Sequence, residues 1–196
     1  MYPFYYFPKI KINPQPIKKF IESVPEEYWR GQGFQEYITK EINPNRKDAW
    51  CFWTLLQADY DLLQCPEIAQ LVEGLNVGSK KLWYTLNIKR SRNGYQSEWR
   101  PLMQHPEFDK LYNIKRTWDI IVPIQGGFVE SPLEAYDTEN DEYHTLVPKG
   151  QAFMVPTDPR WHYRWKETKY DFRYTVHIRG KLPTTYEYMK TYEQLK

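Results

Sequence analysis

The chain has 196 residues, a net charge of +2 and an aromatic content of 17%. No apolar run approaches the roughly 20 residues that cross a membrane, and the proline-interrupted residues 1–8 lack the regions of a secretory signal. Two cysteines, Cys51 and Cys65, are too few for a disulfide framework, and they predict buried thiols in a reducing compartment. We therefore expect a cytoplasmic globular protein with no membrane partner.

The first third of the chain is predicted to be largely helical. Its apolar residues at positions 17, 20, 21 and 24 have helical spacing. Residues 49–58 predict a buried helix, and residues 66–74 predict a short helix that begins at a proline and ends at a glycine. The predicted N-terminal part, residues 1–78, thus combines helices with an aromatic arm.

The remainder of the chain is predicted to be rich in β-structure. Short candidate strands separated by turn signals predict a barrel or sandwich over residues 79–183. These strands are expected at residues 82–88, 118–124, 133–136, 144–147, 152–155, 161–165 and 172–178. Residues 184–196 are predicted to be a C-terminal helix or tail. The predicted class is α+β, mainly β, with the N-terminal helices packed on the barrel in one compact domain.

The last two candidate strands carry the pattern with the most chemistry, and they are predicted to form a hairpin. Side chains alternate along a strand, so His162 and Arg164 share one face of the first strand. Arg173, Thr175, His177 and Arg179 share one face of the second strand. A face this rich in cations and imidazoles indicates either a solvated sheet over an aromatic core or the lined interior of a ligand-holding barrel.

These residues resemble a known family. The run Gly150–Pro156, then His162, then Arg173–Ile178 resembles the C-terminal half of a double-stranded β-helix, or cupin-like jelly-roll, domain. It is similar to iron(II)/2-oxoglutarate-dependent oxygenases, including the aspartyl/asparaginyl β-hydroxylase type, over about residues 80–180. The resemblance implies Fe(II) and 2-oxoglutarate as cofactors and hydroxylation of an unidentified substrate.

The resemblance also implies roles for single residues. His162 would ligate the iron, and Arg173, eleven residues later, would bind the distal carboxylate of 2-oxoglutarate through a bidentate guanidinium. Thr175 and His177, on the same strand face as Arg173, would complete the cosubstrate site.

The first metal ligands of the family are matched in part. Residues 118–123 resemble the strand that brings these ligands, so Asp119 would be the carboxylate of a facial triad of two histidines and one carboxylate. Thr117 stands where a histidine is expected, and His105, before Pro106, is interpreted as a loop residue. Either His144 or His177 completes the site, or the fold serves without catalytic iron.

Two other functions remain open at this point. A non-catalytic cupin-like protein could act in a larger assembly, with its aromatic arm, Tyr2–Phe7, docked on a protein partner. Single-stranded nucleic acid is a third and less favoured partner. Residues 89–116 and 160–181 each carry seven bases, against three and two acids, and their aromatic residues could stack on bases. Strand alternation, however, places much of the second aromatic set in the core.

The acidic charge is concentrated in one segment. Residues 130–142 contain six acidic residues and no basic one. Such a run is typical of a solvated loop.

Overall fold

A computed structural model describes residues 4–7, 10–33, 50–74, 83–92, 100–101, 118–125, 133–146, 152–156, 158–166, 170–180 and 190–191. Over these residues the chain is mostly antiparallel β-structure with two α-helices, as predicted for the fold class. Neither of these helices combines the length and the apolar character needed to span a membrane.

The helices and strands have the following bounds. Helix α1 is Pro14–Ser23 and helix α2 is Pro66–Gly74. The strands of the described residues are β1 (Tyr5–Tyr6), β2 (Arg30–Gly33), β3 (Trp50–Leu56), β4 (Trp83–Arg92), β5 (Arg100–Pro101), β6 (Trp118–Gln125), β7 (Leu133–Asp137), β8 (Glu142–Leu146), β9 (Phe153–Pro156), β10 (Trp161–Trp165), β11 (Phe172–Gly180) and β12 (Lys190–Thr191). Short 3-10 helices cover Glu26–Tyr28 and Leu62–Gln64.

The strands form two sheets. The larger sheet has the order β12-β1-β9-β6-β11-β4-β3-β2, and the smaller has the order β5-β10-β7-β8. The predicted hairpin of the last two strands is wrong, because β10 pairs with β5 and β7 whereas β11 pairs with β4 and β6. The chain therefore crosses from the smaller to the larger sheet after Lys166. A turn signal between two strands does not distinguish such a crossover from a hairpin.

Two hydrophobic cores separate three layers. The outer core lies between the helices and the larger sheet, and the inner core lies between the two sheets. Strand alternation divides β6 between them, since Ile120 and Val122 belong to the outer core and Ile121 belongs to the inner one. Trp161 and Tyr163 of β10 enter the inner core from the smaller sheet. The inner face of the larger sheet is thus the interior of the barrel.

The first third of the chain contains more β-structure than predicted. Residues 50–56 form strand β3, not the predicted helix, and β3 pairs with β2 on one side and β4 on the other. A short, continuous apolar run does not distinguish a helix from a doubly paired strand by its periodicity. Lys190 and Thr191 pair with β1, within the segment predicted to be a C-terminal helix or tail. The rest of that segment lies outside the described residues.

The aromatic arm is part of the larger sheet. Strand β1 lies between β9 and β12, and the backbone N–H of Phe7 donates to the carbonyl of Ala152 at 3.1 Å. Phe4 and Tyr6 are buried in the inner core, and Phe7 is buried in the outer core. Residues 4–7 therefore dock on their own chain, so the buried side chains of Phe4, Tyr6 and Phe7 are not available to the protein partner considered as an alternative.

One of the two predicted buried thiols can be placed. Cys65 is buried and unpaired in the outer core, where its Sγ donates to Glu67 Oε2 at 3.4 Å. Burial raises the pKa of the Cys65 thiol. The Cys51 side chain lies outside the described residues.

Candidate functional site

Strand β11 carries a buried polar face into the barrel interior. Arg173, Thr175 and His177 are 2%, 4% and 2% exposed, whereas the residues between them, Tyr174 and Val176, belong to the outer core. Because side chains alternate along a strand, the three polar residues face the smaller sheet. The polar face predicted from the sequence is therefore an interior surface of the barrel, not a solvated one.

Asp119, His177 and Thr175 form a hydrogen-bonded chain on this surface. His177 Nδ1 lies 3.1 Å from Asp119 Oδ2, and His177 Nε2 lies 2.9 Å from Thr175 Oγ1. With the imidazole proton assigned to Nδ1, His177 donates to the Asp119 carboxylate and accepts from the Thr175 hydroxyl. Arg179 Nε donates to the same carboxylate oxygen at 2.9 Å. Both imidazole nitrogens of His177 thus have partners within the chain.

The charge states of this cluster follow from burial and neighbouring cations. Burial raises the pKa of Asp119, but the positive charge of Arg179 and the hydrogen bond from His177 outweigh it and hold that pKa well below its usual range. Burial lowers the pKa of His177 to about 4 and outweighs the opposing attraction of Asp119. At neutral pH the pair is therefore a carboxylate hydrogen-bonded to a neutral imidazole.

Among the described residues, cations outnumber carboxylates around the cluster. Lys89 is the cross-strand partner of Thr175, and its charge acts on both Asp119 and His177. Arg173 and Arg179 lie on the same face of β11 as His177. A buried surface rich in cations can bind an anionic ligand, because an opposite charge offsets the cost of burying the cations.

The Arg173 guanidinium has a defined position. Its Nη2 donates to the carbonyl of Lys166, and its central carbon lies 4.7 Å from the centroid of the Trp165 ring. These two contacts come from the end of β10 and the residue that follows it. A guanidinium held in one orientation presents a planar pair of donors, the geometry that a carboxylate accepts bidentately.

The structure places the predicted metal ligands apart. Asp119 lies on the inner face of the larger sheet. His162 lies on β10 between two inner-core residues, so its side chain points to the outer face of the smaller sheet. His144 lies on β8, the strand at the other end of that sheet, with its ring 5.4 Å from that of Trp161. No three His, Cys, Asp or Glu side chains among the described residues are close enough to hold a metal ion.

The chemistry of the donors therefore fits the predicted cofactors only in part. A facial triad needs two imidazoles and one carboxylate with open positions. Asp119 and neutral His177 are suitable donor types, but they bond each other, and Arg179 bonds the carboxylate. The described residues thus do not fit an iron site, whereas the cation-rich face of β11 fits an anionic cosubstrate. His105 lies outside the described residues.

Arg179 belongs to the interior cluster, and the sequence-based prediction gave it no role. Alternation along β11 places it on the face of His177, and this signal was visible in the sequence. The sequence did not reveal the partner of Arg179, because the pairing of Arg179 with Asp119 depends on the register between β11 and β6. Strands about 60 residues apart in the chain set that register.

Two of the aromatic residues that could contact a nucleic acid are buried. Trp161 and Tyr163 are buried between the sheets, so neither ring can stack on a base. Most of residues 89–116 lie outside the described residues.

Comparison with known proteins identifies the fold. No protein-family model matches the chain, and no curated protein matches it in sequence. A prolyl hydroxylase from Trichoplax adhaerens, solved with a hypoxia inducible factor peptide fragment, is 11% identical with a TM-score of 0.54; the match covers 85% of this chain and 75% of that chain. Dioxygenase for auxin oxidation 1 from Arabidopsis thaliana, solved with 2-oxoglutarate, is 12% identical with a TM-score of 0.52, over 87% of this chain and 77% of that chain. This chain has the double-stranded β-helix fold of such oxygenases.

Proposed function

We propose that the chain is an Fe(II)/2-oxoglutarate-dependent oxygenase of an unidentified substrate, with its cosubstrate bound between the two sheets. The observation that carries the proposal is the buried polar face of β11, on which Arg173, Thr175 and His177 point into the interior of a double-stranded β-helix. In this proposal Arg173 pairs with the distal carboxylate of 2-oxoglutarate. Thr175 and the neutral His177, which are hydrogen-bonded to each other, line the site beside it.

The proposal has two parts, iron binding (the metal half) and 2-oxoglutarate binding (the cosubstrate half), which can be tested separately. The metal half rests on the fold. Fe(II), when bound, would supply the activation of O2. Asp119 is the carboxylate that we propose for it. The imidazoles to be tested are those of His144 and His105, because His177 is already bonded to Asp119 and Thr175. His162, whose side chain points to the outer face of the smaller sheet, is the control.

The first experiment measures 2-oxoglutarate binding by calorimetry without metal. We expect binding in the unmodified protein and a loss of about 10- to 100-fold in Arg173→Ala, because a hydrogen bond to a charged group contributes about 1.5–3 kcal/mol. Arg173→Lys should lose less, since it keeps the charge but not the planar donor pair. Arg164→Ala is the matched control, because Arg164 lies on the outer face of the smaller sheet and bonds Glu134.

The folding of each variant is checked by its melting temperature, because Arg173 also contacts the end of β10. If folded Arg173→Lys and Arg173→Ala proteins bind 2-oxoglutarate as the unmodified protein does, the cosubstrate assignment is wrong.

The second experiment is an anaerobic Fe(II) titration with and without 2-oxoglutarate, followed by the weak visible charge-transfer band. A band that needs both components and disappears in Asp119→Ala would support the oxygenase. His144→Ala and His105→Ala would then show which imidazoles the iron needs, with His162→Ala as the control. Absence of a band, with 2-oxoglutarate still bound, would contradict the metal half alone.

A non-catalytic barrel is the second candidate, and one observation favours it. Arg179 donates to the Asp119 carboxylate, which places a fixed positive charge where a metal cation would bind. Such a protein would bind an anion between its sheets and act through a partner. Retained 2-oxoglutarate affinity without any iron band is the result that this candidate predicts.

A further inference from the structure

Strand β4 carries a second polar face into the barrel interior, beside that of β11. The chain neighbours of Asn87, Leu86 and Ile88, belong to the outer core, so strand alternation turns Asn87 to the opposite face. Asn87 is the register partner of His177, and side chains of register partners lie on the same face of a sheet. Asn87 is only 3% exposed. Its carboxamide is therefore enclosed between the sheets, next to the interior cluster.

Two buried oxygens on this face have no hydrogen-bond partner among the described residues. They are Asn87 Oδ1 and Thr85 Oγ1, and since Thr85 lies two residues before Asn87, both belong to the same strand face. The neighbouring polar atoms of β11 differ, because His177 and Thr175 bond each other. A buried polar atom without a partner is destabilising, so folded proteins leave few of them. These two oxygens are thus suited to a partner from outside the chain.

The cosubstrate proposed above ends short of these oxygens. Arg173, which would hold its distal carboxylate, donates to the carbonyl of Lys166 and so stays at the end of β10. His177, opposite Asn87, lies four residues further along β11, which is roughly 13 Å at about 3.3 Å per residue. The terminal carbons of 2-oxoglutarate are roughly 5 Å apart, given C–C bonds of about 1.5 Å. As a dianion 2-oxoglutarate also has no hydrogen-bond donor, so the oxygens of β4 suit a different molecule.

We propose that Asn87 and Thr85 form the substrate subsite of the barrel, and that this subsite binds a neutral hydrogen-bond donor, the N–H of an amide or the O–H of an alcohol. A cationic donor is disfavoured, because Lys89 lies two residues after Asn87 on the same face and Arg179 lies opposite Thr85. The proposal rests on the proposed function, since it assigns the second reactant of the same interior.

The experiment titrates the protein, saturated with 2-oxoglutarate, with three small probes and follows its amide signals by NMR. N-methylacetamide has one N–H donor, N,N-dimethylacetamide keeps the carbonyl but lacks the donor, and propan-2-ol has an O–H donor. We expect a donor-bearing probe to shift the side-chain amide signal of Asn87 and N,N-dimethylacetamide to leave it unchanged. The larger shift of the two donor-bearing probes shows whether the subsite prefers N–H or O–H.

Asn87→Leu removes the hydrogen-bonding atoms at nearly constant size. It should weaken binding of the preferred probe by about three- to tenfold, the scale of one hydrogen bond, as followed at the backbone amide of Ile88. Its affinity for 2-oxoglutarate should stay unchanged, in contrast to Arg173→Ala. Asn13→Leu, at the exposed residue before helix α1, is the matched control and should bind the probes normally. If Asn87→Leu does not fold, Asn87→Ala replaces it.

Three results would overturn the proposal. They are equal shifts from all three probes or none from either donor-bearing probe, which would leave water as the partner of Asn87; unchanged probe affinity in the folded Asn87 variant; and weakened 2-oxoglutarate binding in that variant, which would place Asn87 in the cosubstrate site. If 2-oxoglutarate does not bind the unmodified protein, the proposed function fails, and the same titration without it still tests the subsite.

Discussion

At the scale of single residues, burial decides the chemistry of the interior cluster. His177 and Asp119 are both fully enclosed, yet their pKa values are governed by different contributions. Burial dominates for His177 and keeps it neutral, whereas the positive charges of Arg179 and its neighbours dominate for Asp119 and keep it ionised. Neutral imidazole and carboxylate are the states in which these groups act as acceptors, ligands or proton carriers.

His177 should make the stability of the metal-free protein depend on pH. Its pKa is about 4 in the folded chain and about 6.5 when unfolded, so between these values only the unfolded state binds the proton. The free energy of unfolding should therefore fall as the pH is lowered from about 6.5 to about 4. The slope from this one group approaches about 1.4 kcal/mol per pH unit.

Urea unfolding at several pH values in this window tests the expectation. His177→Gln should remove this part of the slope, whereas His162→Gln, on the outer face of the smaller sheet, should retain it. Equal slopes in the unmodified protein and in His177→Gln would contradict the buried, neutral state of His177.

At the scale of elements, the pairing of a segment with neighbouring strands decides its secondary structure, even where its local apolar pattern is typical of a helix. Strand β3 has the apolar run of a buried helix, but its two neighbours in the larger sheet satisfy its backbone hydrogen bonds. The same strand contributes Trp53 to a cluster around Arg90, whose guanidinium lies 4.8 Å from that ring and donates to Glu26. The N-terminal segment and the barrel thus share one sheet.

A substitution at Leu55 tests how much β3 contributes to the stability of the outer core. Its side chain is fully buried beside Ile88, so Leu55→Ala should lower the free energy of unfolding by about 2–5 kcal/mol through lost burial and a residual cavity. Thr54→Ala, on the other face of the same strand, should cost less than about 1 kcal/mol. Urea denaturation of both variants compares the two faces. If their costs were equal, β3 would not bury one face as described.

At the scale of the whole molecule, three layers and the aromatic arm form one structure. Helix α1 packs on the larger sheet near β6, and β1 brings Phe4 and Tyr6 to one core and Phe7 to the other. Removing any layer would expose a core to water, at a cost of about 25 cal/mol per Å² of apolar surface. The arm is therefore expected to stabilise the fold, whatever partner the protein binds elsewhere.

Phe7→Ala tests the arm directly. Phe7 is 1% exposed, so its truncation should cost about 3–5 kcal/mol and lower the melting temperature by about 10 °C or more. Tyr5→Ala, at a half-buried position of the same strand, should have a smaller effect. Calorimetry of both variants provides the comparison, and an unchanged melting temperature for Phe7→Ala would mean that the arm is not docked in solution.

Local sequence pattern was enough to predict three features of this protein. They are the strand alternation of residues 172–178, the mainly β class and the helix at residues 66–74. These features depend on the period of side chains along one element and on nearby proline and glycine residues. The tertiary structure alone decided that β10 and β11 lie in different sheets, which turns His162 outward and Arg173 inward. It also decided that Arg179 meets Asp119. Both outcomes depend on long-range pairing and register, which no local period encodes.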